Sequence, residues 1–124
     1  MTPQTIARIF FLIGCLGLPF ALFGLYVFGG LFVANPSADT FVNVGVFVLV
    51  MVAGIFLFVG YLRRMRGRPF RLSPVLLWQA TIVYNTVGLI ASVLLYWPFA
   101  LFYLALIALA TVAYRAEVAA QPTA

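Results

Sequence analysis

The sequence predicts an all-α membrane protein, a bundle of four transmembrane helices with both termini on the cytoplasmic side (N-in/C-in), and three observations lead there. First, 66% of the 124 residues are apolar and only 7% are charged, with a mean hydropathy of +1.20. A soluble domain carries about a quarter charged residues, so this chain cannot build a water-facing surface. Second, the apolar residues form four continuous runs, each about as long as the ~20 residues a helix needs to cross ~30 Å of hydrocarbon. Third, the seven arginines, unaccompanied by any lysine, concentrate in one short connection between two of these runs. Backbone amides in hydrocarbon must be satisfied internally, which leaves helices or a closed barrel. A barrel would alternate apolar and polar residues in segments of about ten, and these runs do not alternate.

A single domain covering residues 1–124 is expected, with helices near 5–33, 40–62, 74–97 and 98–117 and a cytoplasmic arginine-rich loop at 63–73. The first run, Ile6 to Val33, exceeds what one crossing needs, so tilt or a kink at Pro19 is expected to absorb the excess. A cleaved signal peptide would have an apolar core of about 7–15 residues and a small-x-small exit, and Val33-Ala34-Asn35 fits poorly; the segment is read as a retained helix. Asn35, Pro36, Ser37, Ala38 and Asp39 form the turn to the second helix, with Asp39 as its cap or solvating group. Ser73 and Pro74 supply an N-cap and a first-turn proline for the third helix, and Trp97-Pro98 separates it from the fourth. The tail from Ala116 to Ala124 reads as frayed.

Orientation follows from charge. An even number of crossings puts Arg8, Arg115 and the loop arginines Arg63, Arg64, Arg66, Arg68 and Arg71 on one side, which the positive-inside rule makes cytoplasmic. Aromatic residues agree, with Tyr96, Trp97 and Phe99 at the outer interface and Tyr61, Phe70, Trp78 and Tyr114 at the inner one. The expected location is a multi-pass position in a cell membrane, the bacterial cytoplasmic membrane. Anionic lipid headgroups or an acidic protein partner suit the five loop arginines; nucleic acid does not, because one short loop with one aromatic is a poor platform for it.

Several chemistries are absent. Without histidine there is no histidine ligand for a metal or haem and no Ser-His-Asp triad, and the apolar spans contain no acid for proton- or cation-coupled transport. The sequence therefore predicts no catalytic residue, no cofactor and no metal. The lone Cys15, within the first span, reads as a small packing residue.

Two stripes stand out. On the third helix Trp78, Thr81, Asn85, Gly88 and Ser92 recur at helical spacing on one face, with Asn85 near mid-span; the face meets either the rest of the bundle or a ligand. On the first helix Gly14, Gly17, Ala21 and Gly24 form a small-residue stripe that permits close approach of this chain's third helix, of another copy or of a different protein. Tyr84, Asn85 and Thr86 are successive on a helix and are not expected to converge on one substrate. Glu117 is expected to pair weakly with Arg8 or the loop. Two functions fit: a non-enzymatic accessory, assembly or stabilising subunit of a larger membrane complex, and a homo-oligomeric small channel or transporter for a neutral or anionic solute, its path lined by Thr81, Asn85 and Ser92.

Overall fold

A computed structural model describes residues 2–120 and consists of four α-helices: α1 (Pro3–Ala34), α2 (Ala38–Met65), α3 (Pro74–Leu95) and α4 (Pro98–Ala120). Each is long and apolar enough to cross a membrane. Their starts follow local chemistry. Thr2 caps α1 by accepting from the Thr5 amide at 3.2 Å, and Pro3 fills the first turn, where its missing N–H is not needed. Helix α1 continues without interruption through Pro19.

The turn after α1 is closed by Ser37, not by Asp39. Ser37 and Thr40 form a reciprocal capping box: the Thr40 amide donates to Ser37 Oγ at 3.2 Å, and the Ser37 amide donates to Thr40 Oγ1 at 3.0 Å. Asp39 lies in the first turn of α2, where its charge suits the positive end of the helix dipole.

The arginine loop is shorter than the sequence suggested. Arg63 and Arg64 belong to the last turn of α2, and Arg66 is its C-cap. Gly67 follows with φ +67°, its amide donating to the Arg64 carbonyl at 3.2 Å, while the Arg68 amide donates to the Arg63 carbonyl at 2.8 Å. These two bonds form a Schellman motif, which needs a left-handed residue after the cap. Ser73 then caps α3 as anticipated, accepting from the Leu76 amide at 3.3 Å. Helix α3 ends at Leu95, two residues before the expected limit, with Tyr96 as C-cap. Helix α4 continues to Ala120, beyond the expected fraying point at Ala116; residues 121–124 of that tail lie outside the described residues.

Helices α1 and α2 form one hairpin and α3 and α4 another; the hairpins meet along α2–α3 and α1–α4, while no Cα of α1 lies within 8 Å of one in α3, nor of α2 within 8 Å of one in α4, among the described residues. The arrangement is a four-cornered bundle with α1 opposite α3. Its buried core lies at the arginine end: Ile6, Ala7 and Phe10 of α1, Leu57 and Tyr61 of α2, Leu77 and Trp78 of α3, and Leu106, Ala110 and Ala113 of α4. Tyr61 and Trp78 are turned into the bundle, and Cys15, expected to pack, is exposed. Towards the far end the helices leave Leu16, Phe20, Phe23, Tyr26, Leu94 and Leu101 exposed.

The hairpins also differ in length. The first has helices of 32 and 28 residues and the second of 22 and 23. From the shared layer of Phe10, Tyr61 and Trp78, α1 and α2 run on for ~35 Å and α3 for only ~26 Å at 1.5 Å per residue.

The Schellman geometry makes Gly67 the most constrained glycine in the backbone. Gly67→Ala is expected to lower stability by about 1–2 kcal/mol in detergent unfolding measurements, because a Cβ in the left-handed region is strained. Gly45→Ala, inside α2 with open space around its Cβ, is expected to be neutral or to stabilise by up to about 1 kcal/mol. Equal responses at the two positions would contradict this account.

Candidate functional site

The polar stripe of α3 is turned into the bundle. Trp78 and Thr81 are fully buried, Asn85 is 4% exposed and Ser92 is at the edge of burial. Trp78 packs against Phe10 at 5.7 Å and Tyr61 at 5.8 Å between ring centroids, and Phe10 lies 5.2 Å from Tyr61, so three helices share one aromatic layer. The Trp78 indole N–H is sealed there without an acceptor, a penalty of about 1–3 kcal/mol that the surrounding ring packing must offset.

Above this layer a hydrogen-bonded chain links α2 to α3. The Thr81 hydroxyl donates to the Leu77 carbonyl at 2.8 Å, so its single proton is used; the Tyr61 hydroxyl then donates to Thr81 Oγ1, also at 2.8 Å. Asn85 Nδ2 donates to the Thr81 carbonyl at 2.8 Å. That bond fixes the amide, since the oxygen cannot face a carbonyl, and leaves Oδ1 with no hydrogen bond among the described residues. One turn away the Tyr84 hydroxyl donates to the Val50 carbonyl of α2 at 3.3 Å.

Asn85 borders a partly open cleft of about 330 Å³ between the two hairpins, walled by all four helices. Gly14, Gly17 and Ala21 of α1, Gly54 and Phe58 of α2, Tyr84 of α3 and Tyr103 of α4 contribute. A second groove of about 610 Å³ lies between α2 and α3, and Leu57, Tyr84 and Tyr103 border both. Both volumes fall within the ~300–1,000 Å³ of small-molecule sites. Tyr84 and Asn85 both border this cavity, the Tyr84 hydroxyl being held against α2 at Val50 and Gly54. Thr86 does not join them; its hydroxyl donates to the Ile82 carbonyl at 2.7 Å.

The glycine stripe of α1 meets neither α3 nor a close backbone. A Cβ at Gly14 would lie 2.5 Å from the Phe58 ring, and one at Gly24 would lie 2.8 Å from the Phe47 ring, so the stripe seats aromatic rings of α2. A Cβ at Gly17 would meet nothing within 4 Å. Small residues in the four-helix core are alanines instead: Ala7 of α1 and Ala110 and Ala113 of α4, all fully buried on two helices whose backbones approach. Gly88 takes the Tyr103 ring in the same way, with a built Cβ 2.5 Å from Cε1.

Arg63, Arg66, Arg68 and Arg71 are exposed at the end of α2 and in the loop, with Arg8 and Arg115 exposed on their own helices. Arg63 Nη1 donates to the Pro69 carbonyl at 3.2 Å. Arg64 differs: its Nε donates to Glu117 Oε1 at 2.6 Å, tying α2 to the opposite helix α4. Glu117 is only 8% exposed, so the pair is more sheltered than anticipated; its partner is Arg64, one of the arginines expected in the loop, and not Arg8. The sequence reading missed Tyr103, Phe58 and Phe47, and the seat of Tyr84 on Gly54. Their signal was a glycine on the facing helix, visible only once the pairing of helices is known.

Comparison of the chain with protein-family models, with curated proteins and with solved structures gave no match.

Two pairs of substitutions test this geometry. A double-mutant cycle of Arg64→Met and Glu117→Gln is expected to give a coupling energy of about 1–2 kcal/mol, above the range of exposed pairs because Glu117 is sheltered. A value near zero would remove the pair from the account. Gly88→Ala is expected to destabilise the bundle by about 1–3 kcal/mol through overpacking against Tyr103, and Tyr103→Leu is expected to restore part of that loss in the double variant.

Proposed function

We propose that the chain is a multi-pass membrane protein with its termini and arginine loop in the cytoplasm, and that it serves as a non-catalytic accessory or stabilising subunit of a larger membrane complex. The observation that carries this reading is the overrun of the first hairpin. A bilayer matched to α3 and α4, at ~33–35 Å, leaves the tip of the α1–α2 hairpin ~10 Å too long, and mismatch costs a fraction of a kcal/mol per Å. Beside the polar turn of Asn35, Ser37, Asp39 and Thr40, that tip carries a large apolar surface. Phe28 packs on Phe47 at 5.3 Å and Phe32 on Phe41 at 6.1 Å, while Tyr26, Leu31, Val33 and Phe41 remain exposed with no third helix beside them. Tilt absorbs part of the excess; a neighbouring membrane subunit that covers the tip removes the remainder.

The arginines support the orientation. Four exposed cations from Arg63 to Arg71 favour the cytoplasmic face and add attraction of about 1 kcal/mol each to an anionic leaflet. The transporter alternative is less well supported, since the Thr81 hydroxyl and one side of the Asn85 amide are already engaged in holding α3 to α2 and to itself.

Native mass spectrometry of the protein, extracted gently from its own membrane, is expected to find it with larger membrane subunits. A discrete homo-oligomer would favour transport, and a lone monomer would remove the support for an accessory role.

A further inference from the structure

We propose that the cleft between the hairpins is a binding site for one neutral lipid bearing a hydroxyl group, which donates its hydrogen bond to Asn85 Oδ1. This inference does not depend on the accessory-subunit reading, since it concerns the interior cleft and not the hairpin tip.

Four observations converge. Asn85 is 96% buried by its 4% exposure, borders the cleft, and has its amide orientation fixed by the bond to the Thr81 carbonyl. The atom left without a partner is an acceptor, so the missing group is a donor. An unmatched polar atom in a low-dielectric surrounding is costly, which gives a ligand hydroxyl an advantage over a hydrocarbon of the same shape. No Asp, Glu, Arg or Lys borders the cavity, so a charged ligand would find no counterion.

Depth narrows the class further. Asn85 lies ~16 Å along α3 from Pro74, close to the middle of a 22-residue helix. Phospholipids, whose charged headgroups stay at the surface, do not place a donor there. Isoprenoid and fatty alcohols, which carry only a hydroxyl on a hydrocarbon, can. The cavity of about 330 Å³ accommodates a segment of such a chain and is itself partly open. Tyr84 is seated for this position, because its hydroxyl occupies the space where a Cβ at Gly54 would lie, 2.8 Å away.

The test uses the full chain in phosphatidylcholine vesicles with diazirine-bearing probes: an isoprenoid alcohol and a straight-chain fatty alcohol, each beside its hydroxyl-free hydrocarbon. Crosslinks are mapped by fragment mass spectrometry. At least one alcohol is expected to label the segments around Gly17, Asn85 and Tyr103 about tenfold more than its hydrocarbon, the factor that ~1.4 kcal/mol of hydrogen bonding gives. The better of the two alcohols identifies the chain type. Asn85→Leu preserves side-chain volume and is expected to bring that ratio to one. Gly17→Leu adds a side chain where a Cβ meets nothing, and is expected to abolish cleft labelling by every probe while leaving helicity and melting no lower than in the wild type. If Asn85→Leu fails to fold, the alcohol-to-hydrocarbon ratio in the wild type and its loss in Gly17→Leu still decide. A wild-type ratio near one, or cleft labelling that survives Gly17→Leu, overturns the proposal.

Discussion

The bundle depends on one layer of contacts near its arginine end, where its buried residues concentrate; under the membrane reading proposed above, lipid would offer no hydrophobic drive to bring these helices together. Association must come from shape and from polar groups that cannot be satisfied by hydrocarbon. In this chain those contributions coincide. The rings of Phe10, Tyr61 and Trp78 meet there, the Tyr61 hydroxyl reaches Thr81 one turn further in, and Arg64 meets Glu117 one turn further out. Each contact joins different helices, so the layer ties α1, α2, α3 and α4 at one level. Beyond it packing is mostly within each hairpin, with Tyr84 of α3 against Val50 and Gly54 of α2 as a further link between the two.

The ion pair has a role in registration more than in stability. A sheltered pair spends much of its Coulombic gain on desolvation, so Arg64 and Glu117 are weak evidence for a tightly held bundle. Their placement matters more: they join α2 to α4, the diagonal pair whose backbones do not otherwise approach. Removing either partner strands a charge at the edge of the apolar core. The pair thereby disfavours any rotation of one hairpin on the other that would separate the last turns of these helices. The unpaired Trp78 N–H is the opposite case, a polar atom tolerated because the ring around it fills the centre of the layer.

Much of the architecture was legible in the sequence for simple reasons. Four long apolar runs have one helical solution each, and Ser73-Pro74 and Trp97-Pro98 mark boundaries through backbone chemistry that no tertiary contact alters. Errors arose where the local signal competed with another. Asp39 drew attention as a charge while Ser37 and Thr40 had the spacing of a capping box. The arginines at 63 and 64 read as loop because charge suggested water, although Gly67 was the residue able to end the helix. The buried face of α3 followed from its periodicity, including Asn85 and Thr81. The partner of the α1 glycines did not, because periodicity defines a face and says nothing about which helix meets it.

The glycines connect these points to the cleft. Small residues on a membrane helix are usually read as permission for two backbones to approach. Here Gly14, Gly24 and Gly88 instead receive the rings of Phe58, Phe47 and Tyr103, and Gly54 receives the Tyr84 hydroxyl. Aromatic rings set on glycines hold helix axes further apart than small residues facing each other would, while still filling the space between them. Where a glycine in such a pattern has no ring, the spacing remains and the filling does not. Gly17 is that position, between the occupied seats at Gly14 and Gly24, and it borders the same cavity as Asn85. The cleft thus lies where the ring-on-glycine packing seen at Gly14 and Gly24 is interrupted, at a glycine that borders the same cavity as the amide with an acceptor left over.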